Sequence, residues 1–212
     1  FVHRGLGAVA GAFGAMALLL WTRPGGWAVM DWAVTARMEA GMSLALEAAR
    51  ITLGPEAVSQ AFEARILEAM ALQGFLFPAL LGLASLSGLG LAWWLHQRLV
   101  RAGGESIGPL REFRFNDQLV WVLIVGIMVL LGWSGLPGRL GSNTVVFLGA
   151  LYALRGVAVV VFVSGGVSFL GGLLFLVGFV FVAPLIMAAA FIIGLGDTWL
   201  DLRARRKEAT PS

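Results

Sequence analysis

Long stretches without a single charged side chain constrain this sequence more than any other feature. No Asp, Glu, Lys or Arg occurs in residues 5–22, 69–97, 118–138 or 156–196. A helix that crosses a bilayer needs about 20 mostly apolar residues, and each of these segments is near or above that length. We therefore expect an all-α fold, a polytopic bundle of transmembrane helices that forms a single membrane domain over residues 1–212.

The composition argues against other folds. The chain is 59% hydrophobic and 13% charged, whereas soluble domains carry about 25% charged residues. Barrel strands alternate apolar and polar residues, but these segments are apolar on every face. A cleaved secretory signal ends at a small-residue site, and the first segment instead continues into Trp21 and Arg23. Because the chain opens on Phe1 rather than Met, we expect it to be trimmed, with the number of upstream spans left open.

Sequence motifs for catalysis or metal binding are absent. The chain has no cysteine and only two histidines, His3 and His96, so we expect no thiolate or histidine metal site. It also has no nucleophile–base pair or phosphate-binding glycine loop. The net charge of +3 does not indicate nucleic-acid binding, because the basic residues flank the spans, where they contact lipid head groups. We expect no enzyme activity, no cofactor and no nucleic-acid partner, and a lipid bilayer as the environment.

The charge-free segments predict about six spans. The last of them, residues 167–196, would rise about 45 Å as one helix, more than a bilayer about 30 Å thick requires. Two short spans that turn near Ala183 and Pro184 are preferred, since they return the basic tail to the cytoplasm. A single kinked helix, which gives five spans, is the alternative. The other spans are predicted at residues 5–21, 70–96, 118–136 and 144–163, with "LPGRLGSN" as a tight turn between the last two.

The charges between the spans predict the orientation of the chain. Residues 22–68 carry six carboxylates and four arginines, and we expect amphipathic helices over about 27–52 and from 56 onward in an extracytoplasmic segment. Residues 98–117 carry four arginines in a short loop, which marks the cytoplasmic side. Residues 203–212 would then form a basic cytoplasmic tail. The expected location is the bacterial inner membrane.

A single charge interrupts the fourth span. Within "FLGALYALRGVAVVVF" only Arg155 is charged, and it lies roughly 12 Å from the inner end of its span. A charge at that depth costs a few kcal/mol unless it faces the bundle and pairs. Three interpretations stay open. The head group snorkels to the interface, or it pairs with polar groups or a carboxylate such as Asp117 or Asp197, or it contacts a bound anionic ligand.

Two further patterns predict contacts. Asp197 and Asp201 are four residues apart and share a helix face, and with Asp117 and Arg203 they predict a cytoplasmic charge cluster whose aspartates pair with arginines of the 98–114 loop. In the first span, small residues at every fourth position leave one face nearly bare, so that a second helix can approach closely. This face is a predicted helix-packing or partner surface, unless it only reflects the abundance of small residues in membrane helices. Its residues are Gly7, Gly11 and Ala15.

The order "N…LYALRGVAVV…GLGDTWLDLRAR" resembles the YybS-like bacterial membrane proteins, a family of unknown function, over about residues 70–212. Arg155 departs from that family's pattern, which has a neutral polar residue there. The family is distantly similar to the S components of energy-coupling-factor transporters. Those are six-span bundles that capture a vitamin or a metal and dock on a separate ATPase module. The residues that carry the resemblance are Asn143, Tyr152, Gly156, Asp197, Trp199, Asp201 and Arg203.

The resemblance implies a small-molecule-binding transporter component of S-component type without its own ATPase. Its candidate substrate-binding residues are Arg155, Tyr152 and Asn143, which lie within roughly one half of the fourth helix. The small-residue face of the first span would suit docking on an energising ATPase module. The alternative is an accessory or structural subunit that packs against a larger membrane protein complex.

Overall fold

The described part of the chain is helical, as the sequence predicts. The structure is a computed structural model, and it describes residues 2–54, 59–100, 112–166 and 169–203. Within these ranges no strand occurs, so the expectation of an all-α fold is confirmed. The predictions for Phe1, Pro55, Glu56, the middle of the basic loop (101–111) and the tail from 204 onward lie outside them. The helices are α1 (Val2–Thr22), α2 (Gly26–Leu53), α3 (Gln60–Phe75), α4 (Phe77–Val100), α5 (Leu119–Gly132), α6 (Gly135–Val163) and α7 (Phe169–Leu200).

Several helices are suited to a bilayer. In the part of the chain that the structure describes, α5 is apolar but has only 14 residues, about 21 Å of rise, less than the hydrocarbon thickness of about 30 Å. The prediction of a polytopic helical bundle is confirmed, and the chain is a multi-pass membrane protein. The segments long and apolar enough to cross are Arg4–Thr22, Phe77–Leu99, Gly135–Val163 and Val177–Leu200.

The second span begins later than predicted. Residues 70–75 belong to α3, and the helix breaks at Leu76 before α4 begins. Pro78 explains the restart, because it sits in the first turn of α4, where its missing N–H leaves no hydrogen bond unmade. The α3 helix itself begins after Ser59, whose hydroxyl accepts a hydrogen bond from the Phe62 N–H at 3.2 Å, as N-cap serines do.

The predicted turn "LPGRLGSN" is helical, so α6 begins at Gly135, nine residues before the predicted start. Pro137 lies in the first turn, where it is compatible with a helix. Polar side chains in the next turns bond to carbonyls four residues back, which satisfies them without breaking the helix. Ser142 donates to the Gly138 carbonyl, Asn143 to the Arg139 carbonyl and Thr144 to the Leu140 carbonyl, each at 2.9 Å.

The last apolar stretch is one kinked helix. Its helical path runs through the predicted turn, and Val182 alone has non-helical angles (φ −131°, ψ 32°). Pro184 accounts for the kink, because it offers no N–H to the carbonyl four residues back and its ring crowds that carbonyl. The preferred hairpin of two short spans is therefore not observed, and the alternative of a single kinked helix is.

Glycines let α6 pack closely against α5 and α7. A Cβ at Gly141 would lie 2.6 Å from the Leu130 backbone nitrogen and 2.8 Å from the Gly126 carbonyl oxygen in α5. A Cβ at Gly156 would overlap the Ala190 carbonyl of α7, and one at Gly194 would overlap the Tyr152 carbonyl of α6. Such contacts between backbones are typical of membrane helix interfaces.

The chain divides into two compact units. The unit Gly7–Leu81 contains the α2–α3 pair, in which Arg50 and Glu63 form an exposed ion pair at 3.2 Å and α2 buries no residue. The other unit, Phe1–Leu6 with Gly82–Ser212, contains α5, α6 and α7. Its buried apolar cluster is made of Phe115, Val120, Leu123, Leu148, Leu151 and Tyr152.

The close approach of α6 and α7 predicts a strong effect of one methyl group. Gly156→Ala should lower the midpoint of thermal unfolding by about 5 °C, because overpacking costs about 1–3 kcal/mol. The measurement is tryptophan fluorescence of the purified protein during heating. Gly149→Ala is the matched control on the same helix, because a Cβ there meets nothing within 4 Å. Equal midpoints for the two variants would contradict the packing described.

Candidate functional site

Arg155 is the centre of a buried charge cluster. Its side chain has no exposed surface, its Nε donates to Asp197 Oδ2 at 2.9 Å, and its Nη1 donates to Asp117 Oδ1. Arg155 does not snorkel, since its head group is enclosed between carboxylates. Of the interpretations left open by the sequence, the structure therefore shows pairing. Helix α6 continues for eight residues past Arg155, about 12 Å, whereas Asp197 lies three residues before the end of α7 and Asp117 lies two residues before α5.

Separate elements supply the partners. Asp117 lies just before α5, and its side chain is half exposed (49%), whereas Asp197 near the end of α7 is fully buried. Gly156 follows Arg155 directly and faces α7, and Gly194 precedes Asp197 by three residues and faces α6. The glycine contact thus lies next to the ion pair and holds the two charged side chains at bonding distance.

Arg203 is a second arginine on the same carboxylate. Its Nη2 donates to Asp197 Oδ2 at 3.3 Å and to the Phe113 carbonyl at 3.0 Å. It reaches back because Asp201 adopts a left-handed conformation (φ 38°), which aspartate tolerates better than most residues and which turns the chain after α7. Burial lowers the pKa of Arg203 below its ordinary value, and the negative charge of Asp197 opposes that shift.

Among the described residues, the charges of the cluster pair with opposite charges. We call Arg155, Arg203, Asp117 and Asp197 the buried charge cluster; it holds two positive and two negative charges. An outer pair, Arg114 with Asp201 at 3.4 Å, is about half exposed on both sides, where an ion pair contributes little. Of the residues in the predicted charge cluster, Asp117, Asp197 and Arg203 belong to the buried charge cluster, and Asp201 pairs with the loop arginine Arg114.

Aromatic side chains cover the buried arginine. The Phe115 ring lies 5.6 Å from Arg155 Cζ, close enough for a cation–π interaction. The same ring packs edge-on against Tyr152 at 4.9 Å, and Phe191 of α7 packs edge-on against Tyr152 at 6.4 Å. Arg155 and Asp197 have no exposed surface, so their ion pair forms in a medium of low polarity.

The ion pair leaves hydrogen-bonding capacity unused. Within the described ranges, Arg155 Nη2 and Asp197 Oδ1 are buried and have no hydrogen-bond partner. The hydroxyls of Tyr152 and Thr198 are likewise buried and have no hydrogen-bond partner in the described chain. A donor on Arg155, an acceptor on Asp197 and the hydroxyls of Tyr152 and Thr198 are therefore buried on α6 and α7 with hydrogen-bonding capacity left over.

The structure joins some of the predicted binding residues and not others. Tyr152 is fully buried beside Arg155, but Asn143 lies 12 residues earlier, about 18 Å along the helix axis, and its side chain bonds to the Arg139 carbonyl. A small molecule at the buried charge cluster would not reach Asn143. On α1, a Cβ at Gly7 or Gly11 meets nothing within 4 Å, so this face is open in the described chain.

Sequence reasoning missed the aromatic and hydroxyl members of the site. Phe113 supplies a carbonyl to Arg203, Phe115 covers Arg155, and Thr198 adds a hydroxyl. The sequence does carry a signal for Phe113 and Phe115, because these phenylalanines flank Arg114 just before a span. Nothing in the sequence marked Thr198, which stands between Asp197 and the interfacial Trp199.

Comparison with known proteins gives one match. Across residues 8–198 the chain matches a family described as "Predicted membrane protein (DUF2232)". No curated protein matches, and no solved structure matches. The match covers most of the chain and agrees with its helical, multi-pass architecture. An integral membrane protein is therefore shown, and the family description names no activity.

Removal of the buried carboxylate should be more destabilising than removal of the half-exposed one. Asp197→Asn leaves Arg155 and Arg203 without their shared buried partner, which costs about 3–5 kcal/mol. Asp117→Asn removes a partner that water can partly replace, so it should cost about 1 kcal/mol. The measurement is the thermal unfolding midpoint of the two variants, which carry the same change from aspartate to asparagine. A larger loss in Asp117→Asn would contradict the burial described.

Proposed function

The chain belongs to the DUF2232 family of predicted membrane proteins, and on that premise we propose that it is a solute-binding component of a membrane transport system. It would act in the bacterial inner membrane, in the manner of an S component, and rely on a separate ATPase module for energy. The unused hydrogen-bonding atoms of the buried Arg155–Asp197 pair carry this proposal.

Ionisable residues inside spans are costly, and they commonly mark a substrate or ion pathway. Arg155 and Asp197 neutralise each other, but a purely structural pair would be expected to satisfy all its polar atoms. Each buried polar atom left unpaired costs about 1–3 kcal/mol. A bound solute that bonds to Arg155 Nη2 and Asp197 Oδ1 would remove that cost, so the two buried polar atoms favour binding.

The resemblance to YybS-like proteins, and through them to S components, supports the same proposal. It suggests a bundle that captures a solute and transfers it with the help of a partner. We do not propose an enzyme, because the described site holds arginines, carboxylates, a phenol and a threonine without a nucleophile–base pair.

A co-purified solute should be visible by mass. Native mass spectrometry of the protein, extracted in mild detergent, should show a reproducible small adduct, and Arg155→Gln should lose it because Nη2 is gone. Arg98→Gln is the control, since that exposed arginine stacks on Trp94 at the end of α4, away from the buried charge cluster. It should retain the adduct.

Misfolding of the Arg155 variant must be separated from loss of binding. The double variant Arg155→Gln with Asp117→Asn restores charge balance, so it should elute as a folded, monodisperse protein and still lack the adduct. An adduct that survives in the folded double variant would refute Arg155 as a binding residue. A spectrum that shows stoichiometric protein partners and no small adduct would favour the second candidate function.

That second candidate is an accessory subunit of a larger membrane complex. One observation favours it: the small-residue face of α1 is exposed, with open space at Gly7 and Gly11. Closely packed membrane helices commonly use such faces. Docking on an ATPase module would use the same face, so the two candidates share this surface.

A bulky side chain on this face should release a partner. Gly7→Leu and Gly11→Leu should each lower co-purification of any stoichiometric partner at least tenfold, while the thermal midpoint changes little because the space is open. Gly88→Leu on α4 is the matched control, with nothing within 4 Å of its Cβ. Unchanged partner recovery in both α1 variants would exclude this face as the docking surface.

A further inference from the structure

We propose that the solute held at the buried charge cluster carries no net charge, and that it is an uncharged or zwitterionic molecule with both a hydrogen-bond acceptor and a donor. This inference rests on the proposed solute-binding function and specifies its substrate class. Arg155 Nη2 would bond to the acceptor of the solute, and Asp197 Oδ1 would bond to its donor.

The charge balance of the site carries the first half of the inference. Arg155 and Arg203 are balanced by Asp117 and Asp197, and all four are connected by ion pairs. Among the described residues, Arg114 and Asp201 form a further pair of opposite charges. An anion or a cation bound here would add an unbalanced charge between apolar helices, where such a charge is costly. The site that an isolated Arg155 would offer to an anion is thus already taken by carboxylates.

The unused atoms carry the second half. Arg155 Nη2 can only donate and Asp197 Oδ1, as a carboxylate oxygen, can only accept. Each is two covalent bonds from an atom of the 2.9 Å Nε–Oδ2 hydrogen bond, so one small molecule can reach both. The buried Tyr152 and Thr198 hydroxyls can both donate and accept, and they too have no hydrogen-bond partner in the described chain. A ligand with only acceptors or only donors would leave one of the two charged groups unsatisfied.

A set of three nearly isosteric probes separates the charge classes. Acetamide is neutral and has a donor and an acceptor, acetate is an anion that only accepts, and acetamidinium is a cation that only donates. The measurement is the thermal midpoint of the lipid-nanodisc protein with each probe. Acetamide, at about five times its Kd, should raise the midpoint by about 2–4 °C, and the two ions should have no effect.

Two charge variants that keep both unused atoms sharpen the test. Asp117→Asn leaves the cluster with one excess positive charge, so stabilisation by acetate should rise relative to the wild-type protein. Arg203→Gln leaves one excess negative charge, so stabilisation by acetamidinium should rise instead. A preference that follows the charge of the cluster in this way identifies the cluster as the site, and the wild-type comparison stands even if a variant fails to fold.

The outcomes distinguish this inference from the proposed function. Stabilisation of the wild-type protein by acetate or acetamidinium would overturn the net-neutral solute while leaving a binding site. If no probe acts on any form, water or the ion pair itself satisfies these atoms, and the inference is overturned. If the native spectrum also lacks a small adduct, the solute-binding function fails as well. If the adduct is lost in Arg155→Gln and proves to be an ion, the solute-binding function stands and the inference of a solute without net charge is rejected.

Discussion

The ion pair between Arg155 and Asp197 is the interaction on which the described arrangement of α5, α6 and α7 depends. A guanidinium and a carboxylate with no exposed surface stabilise each other only at hydrogen-bonding distance, so α6 and α7 must meet where these residues lie. Asp117 adds the third element by bonding to the other side of the guanidinium. Arg203 bonds to the Asp197 carboxylate and to the Phe113 carbonyl, and so links α7 to the segment that precedes α5. These connected charges thus fix the relative positions of α6, α7, the segment before α5 and the segment after α7.

The glycines explain how apolar helices accommodate this pair. In lipid, helices gain little from burying apolar surface against each other, and close backbone contact takes its place. Gly156 and Gly194 provide that contact beside the ion pair, and Gly126 and Gly141 provide it between α5 and α6. The buried charge cluster therefore lies beside a close backbone contact between α6 and α7.

Much of the fold could be predicted, because a bilayer allows few alternatives for long apolar segments. The carboxylate partners of Arg155 could also be named, since few acidic residues border the spans. The start of α6 could not be predicted, because Pro137 and the polar residues 142–144 resemble a turn. Each of them nevertheless fits a helix at its own position. The kink at Val182 could not be told from a hairpin by length alone. Which glycines make contacts was not predictable either, since Gly7 and Gly156 look alike until the neighbouring helix is placed.

The most direct test is a solid-state NMR measurement of the protein in lipid bilayers, with isotope labels on arginine Nε and on aspartate carboxyl carbons. The account predicts a strong dipolar contact between an arginine Nε and an aspartate carboxyl carbon that disappears in Asp197→Ala and remains in Asp201→Ala. If Arg155 instead gave contacts to lipid phosphate and none to a carboxyl carbon, the arginine would be snorkelling. That result would contradict the buried charge cluster and the binding site proposed on it.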